Sequence, residues 1–224
     1  MPCPRLVGST DGGPLQRTYG PWYEGEYDAV ILSLDTGATD RYRMAMHYTW
    51  ADATDNLLNS NLALGIGTQG AGSVPTDSLD LDFDRGPSDF SFRHSFVMSV
   101  HVVLPADVTV SAVAQATSGV YFSAVGAPID YDGDGIASFR PPDTGRNDFR
   151  GPKTFNLDLR VEKALPIGPT GRLGLLAEFF NLTNGANPRL INNGFVGNAP
   201  APDFGSTRVP LPGREMQLGV RYRF

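Results

Sequence analysis

The chain ends on EMQLGVRYRF, Glu215 to Phe224, and these ten residues decide how the rest is read. Met216, Leu218, Val220, Tyr222 and Phe224 share one face of an extended strand, while Gln217, Gly219, Arg221 and Arg223 share the other. Side chains on a strand alternate between its two faces, so this pattern separates an apolar face from a polar one. Chain termini in water usually fray. Here the alternation continues to the last residue and ends on an aromatic, which asks for an apolar solvent or a partner at that point.

The same alternation recurs upstream and predicts seven strands. Tyr27 to Leu34 is the first, too apolar for its faces to be told apart. Tyr42 to Trp50 sets Tyr42, Met44, Met46, Tyr48 and Trp50 against Arg43, Ala45, His47 and Thr49. Phe92 to Val103 and Val108 to Thr117 follow. Phe155 to Glu162 opposes Phe155, Leu157, Leu159 and Val161 to Asn156, Asp158, Arg160 and Glu162. Arg172 to Leu182 places Leu173, Leu175, Ala177 and Phe179 on the apolar side. The terminal stretch is the seventh.

The connections alternate in length. DTGATDR, LPAD and ALPIGPTGR are short turns rich in Gly, Pro and Asp. Residues 51–89, 118–153 and 183–212 form long irregular segments, uncommon in compact domains unless they carry function. Outer-membrane barrels have this asymmetry, with short periplasmic turns and long extracellular loops. The reading is therefore an all-β, antiparallel transmembrane barrel segment: about seven strands of a partial barrel, with residues 1–26 irregular and 27–224 the barrel part. Tyr222 and Phe224 then fall at the periplasmic aromatic girdle, and Trp50, Tyr48 and Phe92 at the outer one.

Composition agrees. The 224 residues include 26 Gly and 18 Pro but only two Lys, and no run approaches the roughly 20 apolar residues of a spanning helix. A net charge of −6 with no basic stripe argues against nucleic-acid binding. The single cysteine, Cys3, excludes an internal disulfide. The N-terminus lacks the basic and apolar regions of a secretory signal.

Several segments carry a family resemblance: YTWADATDNL (48–57), DRGPSDFSFRHSFVMS (84–99), VVLP (102–105), ATSGVYFSA, DYDGDG, GRNDFRGPKTFNLDLRVEK and AEFFNLTNGANP. In this order they resemble the last part of the barrel of Oar-like, TonB-dependent outer-membrane receptors, from about Tyr27 to Phe224. The resemblance implies a 22-stranded barrel in a bacterial outer membrane, filled by a plug and coupled through TonB to substrate import. The plug, the TonB-contacting segment, the signal peptide and most of the barrel have no counterpart here. The chain thus reads as the C-terminal part of such a receptor. Its partners would be outer-membrane lipid, the barrel-assembly machinery (addressed by Val220, Tyr222 and Phe224), and the rest of the receptor. The alternatives are a small stand-alone barrel, with an eighth strand within Thr18 to Asp28, and a soluble β-sheet binding module using its long loops.

Two constellations are candidate sites. Asp130, Asp132 and Asp134, followed by Gly135, repeat the first half of a calcium loop, although Pro141 stands where a bidentate Glu would be. Either Ca²⁺ ties down an external loop or the segment is a solvated acidic turn; no other cofactor is expected. Asp158, Arg160, Glu162, Glu178, Arg221 and Arg223 lie on the polar faces of three consecutive strands, where cross-strand charge pairs form. These residues would face the lumen, against the plug or the import path, or simply stabilise the wall. His47, His94 and His101 have no metal-ligand spacing and read as structural hydrogen-bonding residues. No catalytic motif is present, and no enzymatic activity is expected.

Overall fold

The computed structural model describes residues 3–7, 16–20, 24–37, 39, 41–56, 76–77, 80–89, 91–131, 133, 135 and 137–224, the first two stretches as backbone alone. Seven long strands form one antiparallel sheet in sequence order: β1 (Gly25–Asp35), β2 (Tyr42–Asp55), β3 (His94–Leu104), β4 (Val108–Thr117), β5 (Thr154–Ile167), β6 (Gly171–Phe180) and β7 (Glu215–Arg223). Each of the seven predicted strands has its counterpart.

The eighth member of the sheet is the two-residue strand Gly86–Pro87, which pairs with the end of β2. The segment Thr18 to Asp28 is split instead. Gln16–Gly20 pairs with Cys3–Val7 in a separate ribbon, and β1 begins at Gly25. Part of residues 1–26, read from sequence as irregular, is thus an antiparallel pair.

Register gives the sheet two chemically distinct faces. One row runs Met44, Val100, Ala112, Leu159, Phe179, Met216 across six strands. The adjacent row runs Arg43, His101, Ser111, Arg160, Glu178, Gln217 on the other side. A slip of one residue at any pair would invert a whole strand, so the alternation read in each strand fixes the register of all. Val30, Leu32 and Leu34 oppose Trp50, Tyr48 and Met46, which places the apolar side of β1 as well.

The apolar face lies open. Val30, Leu32, Trp50, Phe155, Leu175, Leu218, Val220 and Tyr222 are all exposed, Leu218 and Val220 at 70%. A soluble sheet would bury this face against a second layer. Tyr42 and Trp50 stand eight residues apart on β2, roughly 26 Å along the strand, comparable to the roughly 25 Å apolar band of an outer-membrane barrel. Tyr222 and Phe224 stack at 5.9 Å between centroids at the turn end. Lys163 brings an ammonium to this face, opposite Val108 and Leu175. Its ammonium reaches the Ala106 carbonyl, so its stem lies on apolar surface while its charge meets a polar group.

Two strands run longer than their patterns suggested. β2 continues through Ala51–Asp55, where small residues pair with Gly25–Ala29. β5 continues through Pro166, past the last pairing with β4 at Lys163, so the missing proline N–H costs no bond on that side. The sheet is not closed: β1 and β7 form its two edges, and both run from the loop end to the turn end.

Candidate functional site

The described parts of the three long connections, residues 76–77, 80–89 and 91–93 of the first and most of 118–153 and 181–214, meet at one end of the sheet in a lobe. Most of the described buried residues lie there rather than in the strands: Phe122, Ala124 and Ile191 among apolar ones, and Thr76, Asp84, Asp89, Ser123, Ser138, Arg140, Arg146 and Asn147 among polar ones. Phe122, Phe149, Phe195 and Phe204 pack as a ring cluster with centroids 4.8–6.1 Å apart, joining the second and third connections.

Two buried arginines stitch the first connection to the second. The Arg140 guanidinium lies 2.9 Å from Asp84 Oδ1 and donates to the Phe83 carbonyl at 3.0 Å. It also stacks over the Phe83 ring. Asp84 is further held by the Thr76 amide and hydroxyl, each at 2.7 Å. Burial lowers the Arg140 pKa, and Asp84 opposes that shift most among its neighbours. Arg146 sits 2.6 Å from Asp55 Oδ1 and 3.6 Å from Asp89 Oδ2, and donates to the Asp55 carbonyl at 2.7 Å. Beside it Asn147, at positive φ, donates to the Pro87 carbonyl and to Asp89, while its amide N–H donates to Ser123 Oγ. Buried charges need such partners, because an unpaired one costs several kcal/mol.

The asparagine-rich segment fixes the base of the third connection. Asn181 Nδ2 donates to the carbonyls of Gly185 and Pro212, and Asn187 brackets Phe155, accepting from its N–H and donating to its C=O at 2.8 Å each.

On the polar face of the sheet the candidate charges separate by height. Arg160 bridges Glu178 at 3.3 Å and Glu162 at 3.0 Å, and Arg221 lies 3.7 Å from Glu162, a network across β5, β6 and β7. Asp158 stands apart at the loop end, accepting from the Asn181 amide at 2.9 Å and from Asn156. Arg223 stands at the turn end, opposite Arg172. Ser33 with His47, and Ser111 with His101, form hydrogen bonds of 3.0 Å on this face, and Tyr48 with His94 one of 2.8 Å on the other.

Of the acidic loop, Asp130 accepts from the amides of Gly133 at 2.8 Å and Gly135 at 3.0 Å. Asp132 and Asp134 lie outside the described residues. Among the described residues no group of three or more acidic, His or Cys side chains is placed to hold a metal. Val220 and Tyr222 lie near the end of the exposed edge strand β7, and Phe224 follows its last residue.

A family model described as an outer membrane beta barrel domain matches residues 16–141. The chain belongs to the outer-membrane β-barrel domain family. No curated protein and no solved structure matches it. The matched region covers β1 to β4 and most of the lobe's second connection, while β5 to β7 continue the same sheet without a break in register. Membership of this family implies a bacterial outer membrane.

Sequence reasoning found the strands, and the faces of all but β1, but not Asp55, Asp84, Asp89, Arg140, Arg146 and Asn147. The available signal was the clustering of Arg, Asp and Asn with Gly and Pro in DRGPSD and GRNDFRGP, both inside long connections.

Proposed function

We propose that this outer-membrane barrel domain is the closing portion of a TonB-dependent transporter, working in energy-coupled uptake as part of a larger barrel. The observation that carries the reading is the pair of open edges. In hydrocarbon each unpaired backbone N–H or C=O costs several kcal/mol, so β1 and β7 require neighbours. Because both edges run in the same direction, antiparallel closure needs an odd number of additional strands. Copies of this chain alone would meet in parallel seams, whereas the missing strands of a receptor would supply the odd remainder.

The ordered motifs shared with Oar-like receptors support the same assignment. In that setting the lobe faces outward, the polar face lines the lumen against a plug, and β7 presents Val220, Tyr222 and Phe224 to the barrel-assembly machinery. TonB would act through a plug that other sequence provides. The chain itself is proposed to be non-enzymatic.

Fractionation and topology test this together. The chain should remain in the outer membrane after carbonate extraction. In a Cys3→Ser background, Val196→Cys in the lobe should react with an impermeant maleimide on intact cells, and Gly168→Cys in the β5–β6 turn only after permeabilisation. Recovery in the soluble fraction would overturn the membrane assignment. Uptake by the assembled receptor that persists without TonB would overturn the transporter assignment.

A further inference from the structure

Register places Arg172 of β6 directly opposite Arg223 of β7, with both side chains on the polar face at the turn end. Like charges at directly opposed positions destabilise an antiparallel pair. Among the described residues neither guanidinium forms an ion pair. Arg221, two positions along β7, reaches only Glu162, at 3.7 Å, and that carboxylate already holds Arg160 at 3.0 Å. The residue opposite Arg221 is Gly174, where an added Cβ would lie 2.9 Å from Glu162 Oε1, so glycine leaves room for the charges to gather. The three arginines line one concavity of about 220 Å³ with Thr109, Glu162 and Asp107.

We propose that this concavity is an oxyanion-binding site in which the forked donors of Arg172, Arg221 and Arg223 converge on a phosphate or carboxylate group. Guanidinium groups present paired N–H donors that two oxygens of a carboxylate or phosphate accept in two-pronged fashion. The ligand offsets the repulsion between Arg172 and Arg223 that the β6–β7 register imposes. Thr109 contributes a hydroxyl at the wall, and Asp107 limits the site to a compact anion by opposing a second negative charge near the β3–β4 turn. The oxyanion comes either from a free solute or from an acidic side chain of polypeptide in the lumen, and the two sources share this chemistry.

The test uses the full chain in outer membranes and follows its thermal unfolding by loss of the heat-modifiable band at constant ionic strength. Replacing chloride with inorganic phosphate, with acetate, or with a hexaglutamate peptide should raise the midpoint by about 2–8 °C at saturation. A response to phosphate identifies a free oxyanion; a response to the peptide with none to phosphate identifies a polypeptide carboxylate. Arg172→Gln with Arg223→Gln should abolish the response and start from a midpoint no lower than wild type, because the repulsion is gone. Arg43→Gln, at the same end but paired with Asp35, should respond as wild type does. Where the double variant fails to assemble, Arg223→Gln alone should reduce the response. No shift with any of the three anions, or an equal shift in the arginine variants, would overturn the site.

Discussion

Arg146 in the second long connection holds Asp55, the last residue of β2, at 2.6 Å, and both side chains are 8% exposed. The pair ties the lobe to the sheet across 91 positions of sequence. Removing one partner of a buried ion pair leaves an uncompensated charge, at about 3–5 kcal/mol. Asp55→Ala should therefore loosen the lobe, seen as rapid trypsin cleavage within residues 80–93 and 118–153 while the strands stay protected. Asp84→Ala should do the same through Arg140.

Gly119 and Gly151 bring two backbones together: a Cβ at Gly119 would overlap the Gly151 carbonyl oxygen. A Cβ at Gly151 would instead meet the Cδ1 tip of Ile191, which can turn aside. Gly119→Ala should thus disrupt the lobe severely, by more than the about 1–3 kcal/mol usual for overpacking. Gly151→Ala should fall within that range. Equal protease sensitivity of the two variants would contradict this difference.

Neighbouring positions on β7 separate the two faces. Leu218, 70% exposed on the apolar face, should not tolerate Arg: the lipid-facing charge costs about 2–4 kcal/mol near the bilayer midplane. Gln217→Arg, on the polar face opposite Glu178, should assemble as wild type. Heat-modifiable mobility on gels reads both.

Arg160, Glu162, Glu178 and Arg221 form a partly solvated network, in which single pairs contribute about 0.2–1 kcal/mol and weaken with salt. Arg160→Gln should lower stability by no more than about 1 kcal/mol, and added salt should narrow the difference from wild type. A double-mutant cycle with Glu178→Gln measures the coupling.

Burial pushes the Tyr131 phenol above its ordinary value near 10, against the opposing pull of Arg140. The unfolded chain then loses this proton first. The stabilisation is complete below pH 10 and is lost as pH rises through the folded value. Protease resistance of the lobe should fall in that alkaline window. Tyr131→Phe should lower it at neutral pH, through the lost hydrogen bond to the Arg140 carbonyl, and flatten its alkaline slope.

The sheet was legible in the sequence because a period of two leaves each residue only two choices of face. Leu157 against Asp158, or Leu218 against Gln217, settles a strand without knowledge of its neighbours. β1 was harder, since Ile31 sits among the polar row opposite Thr49 and spoils its alternation. The lobe was not legible for the opposite reason. Arg140 and Asp84, or Asn147 and Pro87, meet through irregular backbone with no period to follow, and their burial depends on a path through three separate connections. Asn147 and Asn181 adopt positive φ in the tight turns that build the lobe, a backbone state that no period in the sequence marks.

The two halves of this molecule also differ in when they can form. Every long strand pairs with its successor, and the three pairings that close over short turns form hairpins with little loop-closure cost. The lobe instead waits for partners 57 to 91 residues apart to be delivered to the same end. It is a late-forming clasp: weakening it should hasten release of the folded loops while leaving the pace of strand insertion unchanged.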